Sequence, residues 1–112
     1  MVTHHADPVF AAVADPTRRA ILDLLRRREM SAGELASRFP VSRPAISRHV
    51  RVLREAGLLT ERREAQWRRY SLNPVPLVQV DRWIAAYRVF WGARLHDLKR
   101  YVEGAEPGKE RS

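Results

Sequence analysis

The 112-residue chain contains no cysteine, which excludes disulfides, zinc–thiolate sites and thiol redox sensing. It has no apolar run near the ~18 residues of a membrane span, and its first residues lack the apolar core of a signal peptide. The expectation is a cytoplasmic protein that does not use a membrane as partner. Glycine is sparse, five in all, and none falls in a phosphate-cradling loop. No Ser/His/Asp set and no carboxylate pair stands out, and His4, His5, His49 and His96 lack catalytic spacing. Neither an enzyme nor a cofactor is expected. Acids are outnumbered, 13 Asp+Glu against 21 Lys+Arg, for a net charge of +8. That balance favours a polyanionic partner. A chain of this length has room for one domain with a modest core, expected over 7–103, with flexible termini at 1–6 and 104–112.

What is present centres on 31–57, which reads as two short helices joined by a tight turn. Ser31 with Glu34 three residues on has the spacing of a capping box, and Phe39-Pro40 is expected to end that helix. Ser42 then supplies a fresh N-cap, with Pro44 tolerated in the first turn. The second helix is expected to end near Ala56, with Gly57 at the left-handed position beyond it. Ile46, Val50 and Leu53 form its apolar stripe. Arg43, Ser47, Arg51 and Arg54 are placed on the opposite face, with Arg48 beside them. A helix held by its apolar stripe and offering serine and arginine outward suits a DNA major groove, since arginine bonds guanine O6 and N7 in bidentate fashion. The plainer alternative is a solvated charged face.

Upstream, Asp7-Pro8 opens a short helix with Val9, Phe10 and Val13 on one face. Asp15-Pro16 opens another that runs to about Arg27 and buries Ile21, Leu22, Leu24 and Leu25. Downstream, 58–72 reads as two strands around a Glu64-Ala65-Gln66 turn, tipped by Arg62, Arg63, Arg68 and Arg69. From Ser42 to Tyr70 eight arginines face three acids, so most of the net charge lies in a quarter of the chain. Helix, turn, cationic helix and cationic hairpin in that order define a winged helix-turn-helix. The wing arginines are expected on phosphates or in the adjacent minor groove.

Asn73-Pro74-Val75-Pro76 breaks the chain before one long helix over 76–102. Leu77, Val80, Ile84, Tyr87, Trp91, Leu95 and Leu98 recur at three- and four-residue steps, widened by Trp83 and Phe90. A helix of ~40 Å exceeds what so small a domain can cover, so the surplus face, with Val9, Phe10 and Val13, is expected to meet a second subunit. An aromatic pocket for a small apolar ligand is the competing reading. The expected architecture is mainly α with a small β-hairpin, in the order α-α-α-α-β-β-α, dimerised through its first and last helices.

Ala14-Asp15-Pro16-Thr17-Arg18-Arg19-Ala20-Ile21-Leu22 resembles the opening of the ArsR/SmtB family of bacterial repressors. So do Val41 to Val50, Leu53-Arg54-Glu55-Ala56-Gly57-Leu58 and the wing ending Arg69-Tyr70-Ser71-Leu72-Asn73-Pro74. The resemblance implies a homodimeric repressor that occupies an inverted-repeat operator until an inducer, here unknown, releases it. By position it implies Ser42, Arg43, Ser47, Arg48 and His49 as DNA readers, although the phasing of His49 at the edge of the buried face leaves a structural role open. The family's metal sites do not carry over. Glu34-Leu35-Ala36-Ser37-Arg38 lacks the thiolates of the Glu-Leu-Cys-x-Cys type, and Trp83 and Arg94 stand where the last-helix type has histidines. No metal is therefore expected, at His96 beside Asp97 or elsewhere. A winged-helix module that binds protein, its basic face incidental, is the alternative function.

Overall fold

The computed structural model describes residues 7–105. They form α1 (Asp7–Val13), α2 (Pro16–Leu25), β1 (Met30–Ser31), α3 (Ala32–Ala36), α4 (Arg43–Glu55), β2 (Leu59–Glu64), β3 (Trp67–Leu72), a 3-10 turn (Val75–Leu77) and α5 (Val78–Ala105). Of the tails expected at 1–6 and 104–112, residues 1–6, with His4 and His5, and 106–112 lie outside these residues, while α5 runs on through Ala105, past the end expected at 102. The chain divides after Val80 into two units.

In the first unit, α2, α3 and α4 each begin where a side chain satisfies a backbone N–H that the helix itself cannot. Asp15 Oδ2 accepts from the Arg18 N–H at 3.0 Å, with Pro16 in the first turn of α2. At α3 the capping box is complete, the Glu34 N–H donating to Ser31 Oγ at 3.1 Å and the Ser31 N–H to Glu34 Oε1 at 2.9 Å. α3 stops at Ala36, short of the Phe39-Pro40 boundary expected from sequence. The Ser37 hydroxyl donates to the Glu34 carbonyl at 2.8 Å, a local bond that competes with the helical ladder. Ser42 Oγ accepts from the Ala45 N–H at 3.2 Å to open α4. α4 closes with Gly57 at φ 80°. There the Leu58 N–H reaches the Leu53 carbonyl and the Gly57 N–H the Arg54 carbonyl, both at 2.9 Å. That is a Schellman closure, and its paired apolar residues, Leu53 and Leu58, are both buried.

The sheet has three antiparallel strands in the order β1-β3-β2. β1, absent from the sequence-based order, pairs Met30 with Tyr70 and Ser31 with Arg69. Two residues carry no period-2 pattern, so only the pairing with β3 reveals them. The hairpin turns through Ala65-Gln66 between the paired Glu64 and Trp67. Ala65 takes φ 56° there, a position that usually falls to glycine or asparagine. Asn73 ties the hairpin's exit to the end of α4, its N–H donating to the Leu58 carbonyl and its Nδ2 to the Gly57 carbonyl, both at 2.8 Å.

Ile21, Leu25, Leu35, Ile46, Val50, Leu53, Leu58 and Tyr70 anchor one core drawn from α2, α3, α4 and the sheet. In the second unit, α5 carries an ion pair between Arg88 and Asp81 at 2.5 Å. Trp83 and Tyr87 meet edge to face, centroids 5.4 Å apart.

Candidate nucleic-acid interface

α4 buries Ile46, Val50 and Leu53, the stripe its sequence marks out. Ser42, Arg43, Ser47, Arg48 and Arg51 are all exposed. Arg54 is exposed too, but it does not share their freedom. It follows Val50 by four residues, about 40° around the helix, so it sits at the border of the buried stripe and not opposite it. Its Nη1 contacts Glu61 Oε1 on β2 at 2.5 Å. A cleft of about 360 Å³ between α4 and the hairpin is lined by Arg43, Ser47, Gln66, Trp67, Arg68 and Tyr70, together with Ser31, Ala32 and Gly33. A neighbouring one of about 220 Å³ adds Arg51 and Arg54. Two walls rich in arginine around an open cleft suit an anionic backbone.

His49 turns the other way. It is half-buried, with its Nδ1 3.1 Å from Arg18 Nη1 and 3.9 Å from Asp15 Oδ2. A guanidinium can only donate, so Nδ1 accepts and the ring proton sits on Nε2. Arg18 also donates from Nε to the Ala12 carbonyl at 2.8 Å and from Nη2 to the Ala11 carbonyl at 2.9 Å. Arg19 donates to the Val13 carbonyl at 2.9 Å. The Arg18-Arg19 pair thus closes the C-terminal end of α1 and links it to α4, a role the sequence pattern did not disclose. The Arg18 backbone N–H, with the Arg18 charge adding to it, holds the Asp15 carboxyl below its ordinary range.

The four wing arginines divide between two faces. Arg62 pairs with Arg69 and Arg63 with Arg68 across the hairpin, and successive pairs point to opposite sides. On one side Arg62 ion-pairs with Glu29, and its Nη1 lies 3.3 Å from Glu64 Oε2. Arg69 sits 3.1 Å from Glu64 Oε1 and 3.8 Å from Glu34 Oε1. The Ser71 hydroxyl donates to Glu29 Oε2 at 3.0 Å. Ser71 and then Arg62 hold the Glu29 carboxyl below its usual range; Arg69 and then Arg62 do the same for Glu64. On the other side Arg68 shares the cleft wall with Ser47 and Arg51. Trp67, at the hairpin's tip, is half-exposed.

The residues expected at a subunit interface are also sorted. Val9 is only 2 % exposed within the chain's own core, which removes it from that set. It sits early in α1 and packs inward. Val13, Leu77 and Val80 lie against the same core, and Phe10 and Ile84 are half-buried. Tyr87, Trp91 and Leu98 are exposed, as are Trp83, Val89, Phe90 and Tyr101 on the same helix. The Leu95 side chain lies outside the described set. An apolar groove of about 390 Å³ exists in the first unit, but its apolar lining, Val13, Leu22, Leu72, Leu77 and Val80, is aliphatic and not aromatic. Among the described residues no helix is long and apolar enough to cross a membrane. No group of three or more His, Asp and Glu there is placed to hold a metal ion.

A cationic helix seated on a three-helix core and followed by a basic hairpin makes this a winged helix-turn-helix DNA-binding protein. A family model described as a helix-turn-helix domain matches residues 13–62. The transcriptional repressor SdpR of Bacillus subtilis is 43 % identical over 76 residues, spanning 68 % of this chain and 84 % of that protein. A solved ArsR-like transcriptional regulator from Rhodococcus sp. RHA1 superposes with a TM-score of 0.66 at 35 % identity, covering 93 % of this chain and 95 % of that one. A further ArsR family regulator of known structure reaches a TM-score of 0.72 at 28 % identity, over 82 % and 95 % of the two chains. The chain belongs to the ArsR family of transcriptional regulators. It is a DNA-binding regulator of transcription.

Proposed function

We propose that the chain is a homodimeric repressor that occupies an inverted-repeat operator, including one beside its own gene. The supporting observation is α4, whose Ile46, Val50 and Leu53 fix it in the core while Ser42, Arg43, Ser47, Arg48 and Arg51 stand exposed. Arg43, Ser47, Arg48 and Arg51 read base edges, while wing arginines hold phosphates. His49 supports α4 from behind, through Arg18, and is not a reader. Two copies related by a two-fold axis require half-sites about one helical turn, ~34 Å, apart. The exposed Tyr87, Trp91 and Leu98 on α5 support pairing with a second copy. Release of the operator by a small-molecule inducer would complete the cycle.

Fluorescence anisotropy with DNA from upstream of the gene, against scrambled DNA and at several salt concentrations, tests this reading. Tight binding to the upstream fragment alone is the expected result. Equal, steeply salt-dependent binding to both fragments would reduce the face to a basic patch.

A further inference from the structure

Like charges directly opposed across a hairpin repel, and this wing contains two such pairs. Their surroundings differ. Arg62 and Arg69 lie in an alternating chain of charges in which Arg62 is shared by Glu29 and Glu64 and Arg69 by Glu64 and Glu34. Each guanidinium meets two carboxylates from within the protein. The opposed Arg63 and Arg68 have no comparable compensation. Arg63 makes no ion pair among the described residues. Arg68 reaches only to 3.9 Å from Glu61, whose other oxygen is held by Arg54 at 2.5 Å. The uncompensated pair is also the one whose Arg68 lines the cleft against α4.

We propose that Glu29 and Glu64 set the DNA selectivity of this regulator by withholding Arg62 and Arg69 from phosphate, leaving Arg63 and Arg68 as the wing arginines that bind it. The proposal rests on the wing meeting DNA, as read above. Fewer non-selective phosphate contacts mean a smaller share of affinity that every sequence enjoys equally. Glu29 also bolts the wing's base to the segment before β1, because it binds Arg62 of β2 and Ser71 of β3 with its two oxygens. Its carboxylate therefore orients the hairpin as well as neutralising it.

The test compares wild type, R62Q, E29Q/E64Q and E29Q/E64Q/R62Q by anisotropy on the upstream fragment and on random DNA across a salt series. A further variant, D23N/D97N, removes the same two charges where no ion pair is made among the described residues. R62Q should leave the salt slope unchanged. E29Q/E64Q should steepen the random-DNA slope by about 1 to 2, at ~0.9 per added phosphate contact, and lower the preference for the upstream fragment several-fold. Adding R62Q should take back about one unit of that slope. The proposal is overturned if R62Q alone flattens the slope by about one, if D23N/D97N reproduces E29Q/E64Q, or if the triple variant keeps the whole gain. A wild-type protein whose binding ignored every wing substitution, Arg68→Ala included, would instead overturn the wing's contact with DNA.

Discussion

The guanidinium of Arg18 lies 3.1 Å from Nδ1 of His49 and joins the first turn of α2 to the middle of α4. One side chain therefore couples the end of α1, through the Ala11 and Ala12 carbonyls, to the helix that faces DNA. His49→Ala should lower stability by about 1 kcal/mol, the scale of one partly buried hydrogen bond, with the upstream-to-scrambled ratio retained. Thermal melts and anisotropy on the same preparation check this. An unchanged melt with a lost preference would return His49 to the DNA-reading set.

Arg43 and Ser47 should differ in kind from Arg68. Arg43→Ala is expected to cost about 1–3 kcal/mol on the preferred sequence and little on scrambled DNA. Arg68→Ala should weaken both alike and flatten the salt slope by about one. Titrations at three salt concentrations separate the two behaviours. Persistence of the preference in Arg43→Ala would remove that residue from the groove.

Ala65 holds φ 56° without a glycine's freedom. Ala65→Gly should relieve about 1 kcal/mol of that strain, partly offset by glycine's greater entropy when unfolded. A small rise in the thermal midpoint is expected, with unchanged binding to DNA. A fall in the midpoint would mean that the turn is relaxed as it stands.

Acid should unfold the protein through a known set of groups. Asp15, Glu29, Glu34 and Glu64 all have carboxyls held below their ordinary range. At pH near 4 the unfolded chain then binds more protons than the folded one, so stability rises with pH through that window. Their contribution is present above the ordinary carboxylate range and is lost as pH falls through the depressed folded values. Denaturant melts at pH 7, 5 and 3 should show the loss at the lowest pH, and Glu34→Gln, which removes the titrating carboxyl but keeps an amide oxygen to accept from the Ser31 N–H, should shrink it.

Leu98→Asp should dissociate the proposed dimer, since it sets a carboxylate in the exposed stripe of α5. Sedimentation velocity should show a shift from two copies to one with the helical circular dichroism preserved. A wild-type protein that sediments as a single copy at micromolar concentration would remove the dimer from the reading.

Much of this was legible along the chain because the signals were local. Ser31 and Glu34, Ser42 with Pro44, and Gly57 act within a few residues of themselves, and each stands where its spacing placed it. The stripe of Ile46, Val50 and Leu53 needs only the helical period. Less legible were features that depend on residues far apart in sequence. β1 exists only because Tyr70 and Arg69 come to lie beside Met30 and Ser31. The stop of α3 at Ala36 is a local matter by comparison, marked by the bond from the Ser37 hydroxyl to the Glu34 carbonyl that spacing to the proline did not reveal.

The sequence by itself determined the helix-turn-helix, the wing and the basic charge, since caps, turns and periodicity are properties of neighbouring residues. Only the tertiary structure decided which arginines stay available. Arg18 and Arg19 are spent on the carbonyls of α1, Arg54 on Glu61, and Arg62 and Arg69 on three glutamates. A sequence counts charges, but whether a guanidinium meets a carboxylate or open solvent depends on distances of 3 to 4 Å between residues that only folding brings together.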